Sequence, residues 1–85
     1  GARDKKKSAG RLSYLDQREY DGMEEAISRA EEEEQTIQET MERPEVAADP
    51  VQVHDHWQRL ETVRQTIDRL YQRWDELEAK KSGSE

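Results

Sequence analysis

Seven residues in the first half of the chain recur at alternating spacings of three and four, and this heptad pattern limits the folds open to the chain. They are Tyr20, Met23, Ile27, Ala30, Glu34, Ile37 and Met41. Six of the seven are apolar or aromatic, and the exception is Glu34. Such spacing puts one narrow apolar stripe along a helix, and a single stripe needs a partner helix to bury it.

A second stripe in the C-terminal half supplies that partner. We place it at Val53, Trp57, Leu60, Arg64, Ile67, Tyr71 and Trp74. Three further residues widen the apolar face of the same helix: Val63, Leu70 and Leu77. A short connection between two helices of about 30 residues makes them run in opposite directions. The predicted fold class is therefore all-α, a two-helix antiparallel coiled-coil hairpin.

The two stripes also predict a register. Pairing residues whose numbers add to 94 matches the stripes along their full length, so that Ile37 faces Trp57. Glu34 and Arg64 then occupy adjacent layers. We expect these two to form an ion pair at the rim that fixes the register, because a fully buried pair would gain little after desolvation.

Capping signals set the helix boundaries. Ser13 followed by Asp16 resembles a capping box at the start of a helix. Pro44 ends that helix because the residue before a proline is disfavoured in the α region. Asp49 followed by Pro50 restarts the chain as an N-cap with proline in the first turn.

These signals divide the chain into three parts, with one soft point inside the first helix at Gly22, where glycine lowers helix stability. We predict a basic flexible linker at 1–12, a hairpin at 13–81 and a frayed tail at 82–85. Within the hairpin, helix 1 spans about 14–43, the turn 44–49 and helix 2 about 50–80.

Composition excludes several classes of protein. Of the 85 residues, 41% are charged and 31% hydrophobic, with no Cys. A core this thin leaves no room for a deep pocket, and without Cys there is neither a disulfide nor a thiolate site. No apolar run approaches the roughly 18–20 residues that span a membrane. We expect a cytoplasmic monomer without a membrane segment.

No group of residues predicts catalysis or metal binding. His54 and His56 are two positions apart and do not share a helix face, so we expect both to be solvated. The run Glu31 to Glu34 is spread around the helix circumference. The aromatic side chains lie on the predicted stripes and favour core packing over base stacking. The chain is therefore expected to be no enzyme, with no metal and no cofactor of its own.

Charge is divided unevenly along the chain. The net charge is −7, but residues 1–12 carry +4 and residues 13–85 carry −11. At the end of the hairpin where both termini meet, we expect an apolar cluster of Leu12, Tyr14, Leu15, Tyr20, Trp74 and Leu77 surrounded by basic side chains. A basic arm on an acidic body indicates either a solvated tail or a segment that binds phosphates.

Four segments together resemble a known family. The segment KKKSAGRLSY at 5–14 runs into QREY at 17–20, a proline-flanked turn follows at 44–50, and LYQRWDELE closes the pattern at 70–78. This arrangement is similar to the C-terminal coiled-coil domain of ABC-F family ATPases, particularly the Uup-type members.

The resemblance implies a function. ABC-F proteins carry two ATP-binding cassettes and no membrane span, and they act on ribosomes in translation or antibiotic protection. Uup-type members are linked to DNA transactions and ribosome assembly. ATP and Mg would belong to the parent protein, and the domain would help that parent bind DNA or ribosomal RNA. The nucleic-acid-binding residues would be Lys5, Lys6, Lys7, Arg11, Arg18, Arg73, Lys80 and Lys81.

Two alternatives remain open at this stage. In the first, the chain is a spacer or protein-interaction coiled coil that uses the acidic tip near the turn and does not bind nucleic acid. Alternatively, two hairpins would pair into a dimeric four-helix bundle.

Overall fold

The described part of the chain is helical throughout. The structure is a computed structural model that describes residues 12–83. Most of the predicted linker (residues 1–11) and the last two residues of the predicted tail lie outside the described residues. The helices are α1 (Tyr14–Asp21), α2 (Met23–Met41), α3 (Pro44–Ala47) and α4 (Pro50–Ser82). Within the described residues there is no strand, which confirms the all-α prediction.

The predicted caps begin the helices. The backbone N–H of Asp16 donates to the side-chain hydroxyl of Ser13 at 3.1 Å. The backbone N–H of Val51 donates to Asp49 Oδ1 at 3.0 Å. Hydrogen bonds from Gln52 hold the pKa of Asp49 below its ordinary value. These bonds satisfy backbone donors that the first helical turn leaves without partners.

The single helix predicted over about 14–43 is interrupted at Gly22. There the backbone lies at φ −96° and ψ 0°, and the Gly22 N–H donates to the carbonyls of Arg18 and Glu19, both at 3.2 Å. This confirms the predicted soft point. The second part, α2, ends at Met41, and Arg43 before the proline is extended, as the proline requires.

The connection between the long helices is partly ordered. It contains the short helix α3, which buries Val46 at the tip of the molecule. At the other end, α4 continues to Ser82 and ends on Gly83, whose φ of 76° is left-handed. Ser82 is therefore helical, although we had predicted it to begin the frayed tail.

The two long helical segments lie side by side and run in opposite directions. Pairs joined across the interface are Asp16 with Lys80, Glu31 with Tyr71, and Glu33 with Arg59. Residue numbers fall on α4 as they rise on α1 and α2. The result is a rod with extents of 62 × 17 × 17 Å.

The interface between these helices, called the seam below, differs from the one predicted. The buried apolar side chains are Met23, Ile27, Ile37, Val46, Leu60, Val63 and Leu77. Trp57 and Tyr71, which we had placed on the stripe of helix 2, are 51% and 44% exposed. Arg64 is exposed as well. The predicted stripe is therefore wrong at Trp57 and Tyr71, whereas the exposure of Arg64 agrees with the ion pair expected at the rim.

The helix instead turns its aliphatic residues inward. Val63 and Leu77 are buried and Leu70 is half-buried, and these three had been taken only as the margin of the face. Val63, Leu70 and Leu77 belong to a second possible heptad stripe on this helix, and Leu60 belongs to both stripes. Aliphatic side chains fill a narrow two-helix contact, while large aromatic rings are accommodated at its edge.

The contacts of Ile37 differ from the predicted pairing with Trp57, because Ile37 lies in a cluster with Leu60 and Val63. The numbers of Ile37 and Leu60 add to 97, whereas the ion pairs Glu33–Arg59 and Glu34–Arg64 add to 92 and 98, on either side of the predicted sum of 94. The expected ion pair is nonetheless present. Arg64 Nε lies 2.9 Å from Glu34 Oε2, with both side chains partly exposed at the rim.

The corrected seam predicts unequal effects of two truncations. Leu60→Ala should lower the free energy of unfolding by about 2–4 kcal/mol, since it empties a fully packed position. Trp57→Ala should lower it by about 1 kcal/mol or less, because half of that side chain is already exposed. Urea unfolding followed by circular dichroism measures both. A larger loss for Trp57→Ala would restore the stripe predicted from sequence.

Gly22 and Gly83 form a matched pair for a second prediction. A Cβ at Gly22 would lie 3.7 Å from the nearest atom, the Arg18 carbonyl oxygen, at a φ that alanine adopts freely. Gly22→Ala should therefore raise the free energy of unfolding by about 0.5–1 kcal/mol. Gly83→Ala should not raise it, because its φ is positive. Thermal melts of both variants test this, and a destabilised Gly22→Ala would contradict it.

Candidate nucleic-acid interface

The predicted binding residues that the structure describes lie at one end of the rod. This end, called the terminal end, is made of α1 and the last turns of α4, residues 69–83. It holds Arg18, Arg73, Lys80 and Lys81. The other four predicted residues, Lys5, Lys6, Lys7 and Arg11, lie outside the described residues. The chain that carries them enters α1 at Ser13, on this same end.

Arg73 is held by three carboxylates. Its Nε donates to Glu19 Oε2 at 2.9 Å, its Nη2 to Asp16 Oδ1 at 3.0 Å, and its Nη1 to Glu76 Oε1 at 3.0 Å. The hydrogen bonds to Glu19 and Glu76 raise the pKa of Arg73 above its ordinary value. Because Asp16 and Glu19 belong to α1, this guanidinium fastens the start of the first helix to the fourth.

Lys80 reinforces the same contact. Its ammonium lies 2.6 Å from Asp16 Oδ2. The hydrogen bond from Lys80 and the nearby charge of Arg73 hold the pKa of Asp16 below its ordinary value. A phosphate that approaches Lys80 or Arg73 would compete with these carboxylates. Both cations therefore have a positioning role within the hairpin.

Arg18 and Lys81 have different surroundings. The guanidinium carbon of Arg18 lies 5.9 Å from the ring centre of Tyr14. The ammonium of Lys81 lies 4.5 Å from the ring centre of Tyr20. Both cations belong to exposed residues. A cation resting on an aromatic face keeps its outer side open to an anion.

The expected apolar cluster at the terminal end is incomplete. Leu77 is fully buried and Trp74 half-buried, but Tyr14 and Leu15 are 72% and 73% exposed. An exposed tyrosine next to an exposed arginine is the pattern that favours stacking on single-stranded nucleic acid. Sequence reasoning missed it at Tyr14. The signal was present in the position of Arg18, one helical turn after Tyr14 on the same face.

The described part of the terminal end is not basic overall. Residues 13–21 and 69–83 carry five lysine or arginine side chains and six carboxylates. The basic side chains are Arg18, Arg69, Arg73, Lys80 and Lys81. The described residues of this end therefore carry a net charge of −1, and the +4 of residues 1–12 belongs to residues outside the described part of the chain.

Within residues 12–83 nothing resembles a metal centre or a membrane segment. No group of three or more His, Cys, Asp or Glu side chains could hold a metal ion there. None of the helices in this range is long and apolar enough to cross a membrane.

The two histidines differ from each other. His54 is exposed as expected, but His56 is half-buried, with its Nδ1 buried and without a hydrogen-bond partner in the described part of the chain. The expectation that both are solvated is therefore wrong for His56, which lies at a seam position one turn before Leu60.

The comparison with known proteins identifies a family. Residues 11–79 match the family described as ABC transporter C-terminal domain. The match spans most of the 85 residues, and the chain belongs to this family. No curated protein and no solved structure gives a significant match.

The pH dependence of stability should reveal the contact around Asp16. A carboxylate with a lowered pKa contributes stability above its unfolded pKa of about 3.9 and loses it as the pH falls through the folded value. Asp16→Asn should therefore melt below the wild type at pH 7, and the gap should close towards pH 2.5. The control is Asp55→Asn, which lies near the start of α4 and away from Asp16. A gap for Asp16→Asn that is the same at all pH values would contradict the role of charge.

Proposed function

We propose that this chain, as a member of the ABC transporter C-terminal domain family, is the non-catalytic accessory domain of an ABC-F ATPase. The family match over residues 11–79 supports an accessory domain of an ABC protein. The finer assignment rests on the likeness of the segments at 5–14 and 70–78 to Uup-type members. The seam and the opposed helices support an antiparallel coiled-coil hairpin.

The proposed role is to help the parent protein bind nucleic acid, either DNA or ribosomal RNA. The observation that carries this proposal is the position of the basic segment. Residues 1–12 carry +4 and join the hairpin at the end where Lys81 and Arg18 are exposed. The opposite end is acidic and would repel phosphates. Nucleic acid would therefore be met at one end of the rod only.

The eight predicted residues would have different roles in binding. Lys5, Lys6, Lys7 and Arg11 would neutralise phosphates, because their segment of the sequence holds only one carboxylate, Asp4. Arg18 and Lys81 would extend that surface. Arg73 and Lys80 would act indirectly, since they fix the end of α4 against α1 through Asp16.

Catalysis and cofactors would belong to the parent protein. ATP and Mg would be bound by its cassettes, and the hairpin would work beside them in the cytoplasm as a monomeric unit of the longer chain. The described hairpin offers a thin seam and charged outer faces, which suit an accessory role.

Salt dependence tests the nucleic-acid proposal. Titration of labelled duplex DNA and of ribosomes with the wild-type chain should show affinity that falls steeply between about 50 and 200 mM salt. The triple variant Lys5/Lys6/Lys7→Ala should bind more weakly, and its slope of log affinity against log salt on duplex DNA should be smaller by about 2.7.

A charge-matched control separates local contacts from net charge. The variant Arg29/Arg43/Arg59→Ala removes the same charge from the middle and the tip of the rod, and its binding should change much less. Equal losses in the two triple variants would contradict a site at the terminal end. Absence of wild-type binding at 50 mM salt would refute the proposal for the isolated chain and favour a spacer or a protein contact through the acidic tip.

A further inference from the structure

Two aromatic side chains on α4 are left outside the seam. Trp57 is 51% and Tyr71 44% exposed. They are separated by 14 residues, or two heptads, and therefore share one face at a distance of about 21 Å along the helix. Trp57 lies outside the terminal end proposed to meet nucleic acid, and Tyr71 lies at the inner limit of that end.

The face that carries them lies beside the contact between α4 and α2. Midway between them, Arg64 reaches across to Glu34 at 2.9 Å. The hydroxyl of Tyr71 donates to Glu31 Oε2 at 3.0 Å. We call this strip, made of Trp57, Arg64, Tyr71, Glu31 and Glu34, the aromatic flank.

Carboxylates outnumber cations around the aromatic flank. Trp57 and Arg64 line a shallow depression together with Glu61, Gln65 and Asp68. With Glu31 and Glu34 included, the strip and this depression hold four carboxylates and one guanidinium, that of Arg64, which is already paired with Glu34. An occupant of this strip must therefore bring apolar surface together with positive charge.

We propose that the aromatic flank binds a lysine- and arginine-rich amphipathic helix of a protein partner. The partner helix lies along this face of α4, beside its contact with α2, and completes a three-helix arrangement. Its apolar residues cover the rings of Trp57 and Tyr71, as in other grooves that receive an amphipathic helix. Its basic residues pair with the carboxylates at the rim and stack on the rings.

Charge argues against the two other occupants. A second copy of this chain brings a further net charge of −7 and repeats the carboxylates of the same strip. A nucleic acid brings phosphates against Glu61 and Asp68. A basic helix is attracted to the same groups, and its positive charge speeds its association.

Binding of defined peptides tests the proposal. The probe is a 21-residue synthetic helix with a leucine heptad stripe flanked by lysine and arginine, a length of about six turns, or about 32 Å, that spans both rings. The control peptide has glutamate at every basic position. Calorimetry should show binding of the basic peptide only. The variant Trp57→Ala/Tyr71→Ala should weaken it by about tenfold or more, as expected for aromatic anchors.

A matched variant on the opposite flank completes the test. Glu33→Ala/Arg59→Ala removes an exposed ion pair from the other side of the seam and should leave peptide affinity unchanged. Circular dichroism confirms that both double variants remain folded at the titration temperature.

Four results would overturn the proposal. They are failure of the basic peptide to bind, equal binding of the acidic peptide, equal losses in the two double variants, and unchanged affinity in Trp57→Ala/Tyr71→Ala. Sedimentation that shows a dimer abolished by Trp57→Ala/Tyr71→Ala would instead make a second copy the occupant. Loss of DNA binding in that same variant would make it nucleic acid.

Discussion

Burial along one line of contact between two helices holds this protein together. A hairpin has no second layer, so Leu60, Val63 and Ile37 supply in one cluster what a larger domain distributes over several. Every other feature is arranged around that line. Caps begin the helices that carry it, Val46 closes it at the tip, and ion pairs run along both of its rims.

The ion pairs contribute specificity more than stability. Exposed pairs of this kind add little free energy each. A seam of repeating aliphatic side chains, however, does not by itself distinguish one register from another displaced by a turn. Contacts between a particular cation and a particular carboxylate, such as Arg64 with Glu34 and Arg73 with Asp16, distinguish the observed register.

The helix caps and the interruption could be predicted from the sequence, whereas the stripe of α4 that packs against α2 could not. Ser13, Asp49 and Gly22 act through their own backbone neighbourhood, and each does what its residue type predicts. The two possible stripes on α4 share Leu60 and differ in whether Trp57 or Val63 accompanies it. Hydrophobicity alone ranks the aromatic residue at least as high, and the decision depends on which shape fits against Ile37, which is a property of the pair of helices.

The candidate site shows the same division. Counting charges located the basic segment correctly in the sequence but treated Arg73, Lys80, Arg18 and Lys81 as equivalent. Their roles separate only when their neighbours are known. Arg73 and Lys80 meet carboxylates of α1, whose positions follow from the register, whereas Arg18 and Lys81 meet tyrosine rings.

Asp16 and Lys80 join the two helices at the terminal end of the rod. The seam can therefore be opened from that end. A pull between Leu12 and Gly83 would act across the helices and open the seam one layer at a time. The first layer to resist would be the contact of Asp16 with Arg73 and Lys80, so that a few ion pairs, and not the whole length of the seam, would set the force at which opening begins. A pull between the tip and the terminal end would instead act along the axes of both helices and would not separate them layer by layer. The same molecule would therefore be weak in one direction and strong in the other.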